Sequence, residues 1–361
     1  MDAHMKQFLA TRRSAARYGW QCWLILALAG CLLGVSSGLA SARVLRDMAG
    51  EAVAVSDRVE RVATLGAVPV INSLLFAVGA GDRIANGLAD FANGPRYGYQ
   101  KVFAPQTASL PSLQNLDRSP DLEALLAVRA DVVLTMDRAT ARTVQKAGLP
   151  ALYLAWRQPE DVKAAVRLLG DLLHREQAAA RYVAYFDTTQ ARVAAALRGP
   201  ATARPRVLYF NPKTLTQPHL IVEWWIRSAG GESVTDDGRT VESRGFNLEQ
   251  LLAWDPDILI VTSREDVAAV QGEPRLRALK AVRAGRILVI PFGAHIWGNR
   301  TAEQPLTLLW AAKHFHPELF KDMDLVAETQ AFYRDLFGTV LSAAQVREIL
   351  DGGPPMASAP R

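Results

Sequence analysis

The sequence predicts an α/β protein with two Rossmann-like lobes that are joined by a single long backbone helix. Three observations support this fold class. A stretch at residues 121–135, DLEALLAVRADVVLT, recurs at residues 247–261 as NLEQLLAWDPDILIV. Each copy begins with leucines at helical spacing and ends in a short apolar run, which is typical of a helix, a turn and a buried strand. A strongly helical segment, residues 159–199, separates the two copies.

The two copies align when one is shifted by 126 positions. At this offset Glu123 falls on Glu249 and Asp131 falls on Asp257, and several leucines coincide as well. A chain of 361 residues, half of them hydrophobic, is long enough to form two hydrophobic cores. We therefore expect one copy of the repeated unit in each of two α/β lobes.

The remaining periodicity predicts the order of elements around these copies. In the N-terminal half the spacing predicts a helix over 70–78, a long irregular segment over 86–114 and a strand over 151–156. In the C-terminal half it predicts a strand over 206–210, a helix over 220–229, a strand over 286–291 and closing helices. The expected domains are a signal peptide (1–42), an N-terminal lobe (43–158), a helical spine (159–199), a C-terminal lobe (200–350) and a disordered tail (351–361).

The N-terminus has the three parts of a secretory signal peptide. A basic region extends to Arg17, an apolar region runs from about Trp20 to Leu39, and small residues end at Ala42. We expect export to the periplasm and cleavage after Ala42. A retained membrane anchor is the alternative, because the apolar region is nearly long enough to cross a bilayer.

The export route stays open on two points. Residues 28–31 (LAGC) match a bacterial lipoprotein box in which Cys31 would carry the lipid, although the residues that follow stay apolar. Lipid anchoring through Cys31 is therefore a minor alternative to soluble release. Arg12 and Arg13 give a weak match to a twin-arginine signal.

Charge and cysteine content exclude several classes of function. Lys and Arg number 41 against 36 Asp and Glu. Four of these basic residues and one acidic residue lie before position 43, which leaves 37 against 35 and no nucleic-acid footprint. Cys22 and Cys31 are the only cysteines and both precede the predicted cleavage site, which argues against disulfides, thiolate metal sites and cysteine nucleophiles.

These features together resemble a known family. The paired motif [DN]-L-E-x-L-L-A-x-x-x-D-[VI], the export signal, the helical spine and the closing segment RTAEQPLTLLWAAKHFHPELF (300–320) resemble the periplasmic substrate-binding proteins of ABC importers. The similar branch is the rigid-spine one that carries iron siderophores, haem, cobalamin and other metal complexes. The resemblance covers roughly residues 60–350.

The resemblance implies a monomeric binding protein that delivers its cargo to an ABC permease in the inner membrane. It also implies that Glu123 and Glu249 dock onto arginines of that permease. One acidic residue at equivalent places on two lobes could meet both halves of a two-fold symmetric partner. Alternatively, each glutamate only stabilises the first turn of its own helix.

The ligand is expected in a cleft between the lobes, lined by loops at the carboxyl ends of strands. Four segments meet this condition: 66–69, 97–103, 211–225 and 292–300. Aromatic side chains there could stack on a flat chelate and Arg300 could pair with an anionic complex. The candidate ligand-binding residues are Tyr97, Tyr99, His219, Trp224, Trp225, His295, Trp297 and Arg300.

The expected cargo is a metal chelate, and no intrinsic cofactor is expected. His295 and His219 are candidate metal ligands, but no His, Asp and Glu cluster has the spacing of a bare-ion site. A molybdate or tungstate carrier and a nickel or cobalt carrier of the same fold remain alternatives.

Two further classes of function are also possible. One is an exported α/β enzyme, although neither a G-x-S-x-G elbow nor an H-E-x-x-H pair occurs. The other is a binding module that reports its ligand to a membrane sensor. No G-x-x-x-x-G-K-[ST] loop is present, so a separate subunit would hydrolyse ATP.

Overall fold

Two parallel sheets form the centres of two lobes, and each contains the strand that ends one of the repeated stretches. The computed structural model describes residues 42–199 and 203–354. The predicted signal peptide, the lipoprotein box at Cys31 and the twin-arginine pair therefore lie outside the described residues, apart from Ala42 itself. Among the helices in the described ranges, none has the length and apolar character needed to cross a membrane.

The N-terminal lobe contains a three-stranded parallel sheet. Its elements in chain order are β1 (Ala42–Arg46), β2 (Ala52–Ser56), β3 (Val62–Leu65), α1 (Val68–Ala77), α2 (Gly98–Phe103), α3 (Leu122–Ala127), β4 (Val132–Thr135), α4 (Arg138–Lys146) and β5 (Ala151–Tyr153). The sheet order is β3-β4-β5, and β1 and β2 form a separate two-stranded sheet. All residues of β3 and β4 are buried, as expected for parallel strands that are covered on both faces.

Two helices occupy the segment that was predicted as one spine. They are α5 (Pro159–Leu173) and α6 (Glu176–Ala196). The chain reverses at His174, whose left-handed backbone conformation (φ 53°) ends α5, and α6 then packs against α5. A Cβ on Gly170 would lie 2.6 Å from the Cβ of Ala179, so this glycine allows the two helices to approach closely.

The predicted spine over 159–199 is therefore two helices and not a single long one. The connecting backbone helix is α6 alone, whose 21 residues span about 31 Å at 1.5 Å per residue. It packs against α5 on the N-terminal side and against a helix of the C-terminal lobe, Gln304–Phe315, on the other.

The C-terminal lobe contains a four-stranded parallel sheet. Its elements are β6 (Arg206–Tyr209), β7 (Thr216–Gln217), α7 (Ile221–Ser228), β8 (Glu232–Ser233), β9 (Arg244–Gly245), α8 (Leu248–Trp254), β10 (Ile258–Val261), α9 (Arg264–Gly272), α10 (Lys280–Arg283), β11 (Ile287–Val289), α11 (Gln304–Phe315), α12 (Leu325–Asp335) and α13 (Ala343–Leu350). The sheet order is β11-β10-β6-β8, and β7 pairs with β9 in an antiparallel ribbon. The two repeated stretches thus end in β4 and β10, which belong to different sheets.

Residues 95–103 tie the two lobes together in addition to α6. The Arg96 guanidinium donates a hydrogen bond to the Thr262 carbonyl oxygen, and its carbon lies 4.5 Å from the centre of the Phe292 ring. The Tyr99 hydroxyl donates to the carbonyl oxygen of Gln345 at 2.9 Å. The long segment over 86–114, predicted to be irregular, therefore contains α2 and short 3₁₀ turns that contact the opposite lobe.

The predicted tail is ordered at its start. After α13, Gly352 N–H donates to Ile349 O at 3.1 Å and Gly353 N–H donates to Glu348 O at 2.8 Å. Gly352 is buried against Val289 of β11. Residues 355–361 lie outside the described residues.

Candidate functional site: the cleft between the lobes

A cavity of about 450 Å³ lies between the lobes, where the strands of both sheets end. Its N-terminal wall is formed by the start of α1, Phe91, Arg118 and the residues that follow β4, Met136 and Asp137. Its C-terminal wall is formed by His219, His295 and Arg300. The volume falls within the roughly 300–1,000 Å³ range of small-molecule sites.

Helix α1 begins at the cavity wall. Gly66, Ala67, Pro69 and Val70 line the cavity. Neither an acidic residue in the first turn nor a side-chain cap offsets the positive end of this helix. Pro69 has no N–H and Val70 N–H already donates to Ala67 O at 3.0 Å, so the attraction for an anion comes mainly from the helix dipole. This wall therefore favours a negatively charged ligand.

Arg118 is held over the cavity by a tight turn. Its N–H donates to Asn115 O at 2.9 Å and Asn115 N–H donates to Ser119 O at 3.0 Å, which places Arg118 in the left-handed region (φ 67°). The guanidinium carbon lies 4.8 Å from the centre of the Phe91 ring, and that ring is 46% exposed. The pair gives this wall one positive charge and one apolar face.

The carboxylate of Asp137 is already engaged at the start of α4. It accepts a hydrogen bond from Thr140 N–H at 2.6 Å and caps the helix. It is the single acidic residue in a cavity lining that also carries Arg118 and Arg300. The wall therefore has an excess of positive charge.

His219 lies between β7 and α7 and faces the cavity. Its Nδ1 is 3.6 Å from the Glu242 carboxylate, slightly too far for a hydrogen bond. Burial lowers the pKa of His219, and the nearby charge of Arg300 acts in the same direction against the raising effect of Glu242. The imidazole is therefore neutral at neutral pH.

His295 lies in the loop after β11, which we call the cleft loop (292–300). Its ring stacks on Tyr97 with a centroid distance of 6.1 Å and meets the Phe292 ring edge-on at 5.9 Å. Burial lowers the pKa of His295 to about 3, and the charges of His219, Arg300 and Arg96 add to this effect. A neutral imidazole of this kind can ligate a metal through its lone pair or donate a hydrogen bond to an oxyanion from its N–H.

Three polar atoms on the C-terminal wall have no hydrogen-bond partner among the described residues. They are His219 Nδ1, His295 Nδ1 and Arg300 Nε, and all three are buried. Burial also lowers the pKa of Arg300, although a guanidinium stays charged at physiological pH. Because buried polar atoms in folded proteins are nearly always paired, three unpaired atoms on side chains of one cavity wall mark an incompletely satisfied polar region beside the cavity.

The structure brings three of the eight predicted ligand-binding residues to the cavity wall: His219, His295 and Arg300. Tyr97 lies behind the wall, where it supports the ring of His295. Their contacts with a ligand stay predictions.

The structure places the other four candidates away from the cavity. Trp225 is fully buried and donates from Nε1 to Gly298 O at 3.2 Å, and Trp297 is fully buried in the core of the C-terminal lobe. Trp224 packs against Phe186 of α6 at 5.8 Å. Tyr99 is buried and bonded to the backbone near α13. The structure does not bring these four to the cavity wall, because packing between helices and lobes uses their rings, and their contact with a ligand stays a prediction without support from their position.

Four residues of the cavity wall were not predicted: Phe91, Arg118, Met136 and Asp137. Met136 and Asp137 directly follow β4, so the rule that placed the ligand at strand ends could have found them. Arg118 lies in the cluster Asn115 to Ser119, and such residues indicate a turn but not the direction in which it presents a side chain.

A second cavity of about 420 Å³ lies beside the start of α9 and the residues that follow α13. Its charged side chains include both signs, and Arg264 Nη2 lies 3.5 Å from the Asp351 carboxylate. None of the buried, unpartnered polar side chains in the described residues belongs to its lining. The interlobe cleft is therefore the better candidate for a ligand site.

Glu123 and Glu249 are exposed on the surfaces of their lobes. Each lies in the first turn of its helix, α3 or α8, after a capping residue whose side chain accepts a backbone N–H. An exposed leucine follows each glutamate by three positions: Leu126 is 55% exposed and Leu252 is 38% exposed. The two copies therefore present the same acidic and apolar pair to solvent.

Several solved structures are similar to this chain. A periplasmic solute-binding protein from Veillonella parvula has a TM-score of 0.75 at 23% identity, covering 86% of this chain and 97% of that one. The molybdate-bound MolA of Haemophilus influenzae has a TM-score of 0.73 at 20% identity, covering 83% and 99%. Helicobacter pylori CeuE in a nickel–histidine complex has a TM-score of 0.69 at 17% identity, covering 86% and 99%. These similarities support the two-lobe fold.

Sequence comparisons agree with this result. MolA of Haemophilus influenzae is 22% identical over 345 residues, covering 86% of this chain and 96% of MolA. Residues 71–294 match the family described as periplasmic binding protein, and this range is more than half of the chain. The chain therefore belongs to the periplasmic binding proteins, the solute-binding components of ABC importers.

Proposed function

We propose that this protein captures a molybdate-class oxyanion in the interlobe cleft and delivers it to an ABC permease. The observation that carries the proposal is the convergence of Arg118, Arg300 and the uncapped start of α1 on one cavity. An oxyanion has acceptor atoms on every side, so it could pair with donors from both lobes at once.

The two histidines suit a metal oxyanion in particular. Because both imidazoles are neutral, each has one N–H donor and one nitrogen lone pair. One imidazole could donate its N–H to an oxo group, while the other could coordinate the metal centre through its lone pair. Sulfate and phosphate offer acceptor oxygens but no metal to coordinate. We therefore expect the cleft to prefer molybdate or tungstate over sulfate.

The likeness to MolA supports this cargo without deciding it. MolA is described as a molybdate-binding protein and its structure contains molybdate. Other proteins of similar fold include CeuE with nickel and a haem-binding protein, HmuT. The fold therefore accommodates several cargoes, and the choice for this chain depends on its own cleft.

An anionic metal chelate is the second candidate, and the size of the cavity favours it. The cavity volume of about 450 Å³ exceeds the size of one tetrahedral oxyanion. The exposed ring of Phe91 could contact an organic ligand. A bare nickel or cobalt ion has less support, because the described residues contain no group of three or more His, Cys, Asp or Glu side chains that could hold it.

Isothermal titration calorimetry with the purified protein tests this proposal. We expect binding of molybdate and tungstate and no detectable binding of sulfate. Arg300→Gln should bind molybdate about tenfold or more weakly than wild type. Arg264→Gln is the matched control, because this exposed arginine lines only the other cavities. A heat of binding with a ferric siderophore or haem, and none with molybdate, would support the second candidate and reject the first.

We also propose that α3 and α8 are the docking faces for the permease. The support is the matched exposure of Glu123 with Leu126 and of Glu249 with Leu252. The glutamates could set orientation through charge, and the leucines could supply apolar contact area at the same interface.

A further inference from the structure

Glu303 is a fully buried carboxylate directly behind the cleft loop. It immediately precedes α11 and does not line the cavity. Its Oε1 accepts hydrogen bonds from Ala294 N–H at 2.8 Å and from the Tyr333 hydroxyl. Its Oε2 accepts from His295 N–H at 3.1 Å and from the Thr301 hydroxyl at 2.6 Å. One side chain therefore binds two consecutive backbone amides of the loop that carries His295.

Burial of the Glu303 carboxylate has a desolvation cost, which its hydrogen bonds must offset. Burial raises the pKa of Glu303, while the four hydrogen bonds favour the ionised form. Backbone N–H groups can only donate, so the two amides need acceptors at these places. An apolar residue at 303 would leave both of them unpaired inside the protein.

The neighbouring residues leave little freedom for the loop. A Cβ on Gly293 would overlap the Glu303 carboxylate and the Tyr333 hydroxyl, so the backbone can approach this closely only at a glycine. From the opposite lobe, Gln100 Nε2 donates to Ala294 O at 2.6 Å. The peptide group between Ala294 and His295 is thus held at its N–H by Glu303 and at its carbonyl oxygen by Gln100.

We propose that Glu303 is a positioning residue that fixes the orientation of His295 in the cleft. Its side chain binds the backbone N–H of His295, and Glu303 does not itself line the cavity. Through this contact it holds the imidazole between Tyr97 and Phe292 at the cavity wall. Only the effect on cargo affinity rests on the proposed function; the effect on His295 itself does not.

The first test is an NMR titration of the histidine ring protons in Glu303→Gln. The His295 signal is assigned as the one that disappears from the spectrum of His295→Ala. The amide of glutamine can accept at only one of its two ends, so one loop amide is released. We expect the His295 ring to become more solvated and its pKa to rise from about 3 toward the usual value near 6.5. Loss of a nearby negative charge alone would lower this pKa, so the direction distinguishes repositioning from simple electrostatics.

A milder pair of variants keeps the test usable if Glu303→Gln does not fold. Thr301→Val removes the hydroxyl that donates to Glu303 Oε2, the oxygen that also accepts His295 N–H. We expect it to raise the His295 pKa less than Glu303→Gln does. Thr329→Val is the matched control, since Thr329 is equally buried and its hydroxyl has no partner among the described residues. An unchanged His295 pKa in both Glu303→Gln and Thr301→Val would overturn the proposal.

A double-mutant cycle with molybdate as the probe gives an independent readout. We expect Glu303→Gln to weaken molybdate binding about tenfold in the wild-type background and to have no further effect in His295→Ala. Equal losses in both backgrounds would mean that Glu303 does not act through His295. If wild type does not bind molybdate, the proposed function fails and the NMR titration alone decides the role of Glu303.

Discussion

Asp131 and Asp257, 126 positions apart, make the same backbone contact in the two lobes. Asp131 accepts a hydrogen bond from Arg61 N–H at 2.8 Å, and Asp257 accepts one from Arg206 N–H, also at 2.8 Å. Each arginine stands at the start of the first strand of its sheet, and each donates from its side chain to the end of the repeat helix. The repeated aspartate therefore fixes the exposed helix of each lobe to its sheet.

Removing either aspartate should destabilise its lobe. Asp131→Ala leaves the amides of Glu60 and Arg61 without their acceptor, and Asp257→Ala does the same to Arg206. We expect each change to lower the free energy of unfolding by about 1–3 kcal/mol in urea denaturation. Asp322→Ala, at an exposed position, should stay within about 0.5 kcal/mol of wild type. Equal effects at all three positions would contradict this role.

Charge reversal at the two exposed glutamates should abolish transport without weakening cargo binding. Glu123→Lys together with Glu249→Lys would replace attraction to a basic partner with repulsion at both lobes. We expect loss of molybdate uptake in cells or in a reconstituted importer, with molybdate affinity unchanged by calorimetry. Glu318→Lys, an exposed reversal outside α3 and α8, is the control and should transport normally. Normal uptake in the double variant would argue against these docking faces.

The exposed leucines give a separate prediction for the same faces. Leu126→Gln with Leu252→Gln keeps the charges and removes apolar contact area. We expect weaker binding to the permease in nanodiscs and slower uptake, again with unchanged cargo affinity. Val340→Gln is the control, because Val340 is 80% exposed and lies outside both repeat helices. Full activity of the leucine variant would restrict docking to the glutamates.

Molybdate binding should become tighter as the pH falls from about 8 to about 6. Both cleft histidines have lowered pKa values and are neutral in the free protein at pH 7. A bound anion favours the protonated form of an imidazole that donates to it, and it raises the pKa of that imidazole in the complex. Because the complex then binds more protons than the free protein, affinity increases as pH falls toward the raised values.

Calorimetry across this pH range provides the measurement. His295→Ala should flatten the pH dependence, whereas His174→Ala should preserve it, since His174 is exposed at the end of α5. An affinity that falls with decreasing pH would contradict the placement of these histidines beside the anion.

A side chain at Gly170 should separate α5 from α6. In Gly170→Ala the new Cβ would lie 2.6 Å from the Cβ of Ala179, and overpacking of this kind costs about 1–3 kcal/mol. This cost exceeds the gain of up to about 1 kcal/mol in helix propensity, so the net effect should be a lower melting temperature. Gly272→Ala, at the end of α9 with open space around it, should be neutral or slightly stabilising. A stabilised Gly170→Ala would contradict the close crossing.

The sheets were predictable because local pattern and tertiary structure agree there. The apolar runs before Thr135 and Val261 are buried strands in separate sheets, as their length and composition predicted. The break at His174 was not predictable in the same way, because Leu173 and Glu176 continue a helical pattern and neither Gly nor Pro stands between them. The turn there depends on packing of α6 against α5, which involves residues distant in sequence.

The cleft was predicted in outline and only partly in detail. The strand-end rule located His219, His295 and Arg300, because their loops follow or flank strands of the C-terminal lobe. It failed for Trp225 and Trp297, since a residue in such a loop can also point into the core, and two large rings supply packing that the lobe requires. Arg118 was missed because its direction depends on a left-handed backbone conformation at a non-glycine residue.

A single amide group holds one carbonyl from each wall of the cleft. Gln100 Nε2 donates to Pro69 O at 2.9 Å on the α1 side and to Ala294 O at 2.6 Å on the cleft-loop side. The two walls cannot move apart at this point without breaking one of these bonds. Opening the cleft at this point therefore costs the net free energy of one hydrogen bond, about 0.5–1.5 kcal/mol, which contact of both lobes with a permease would offset.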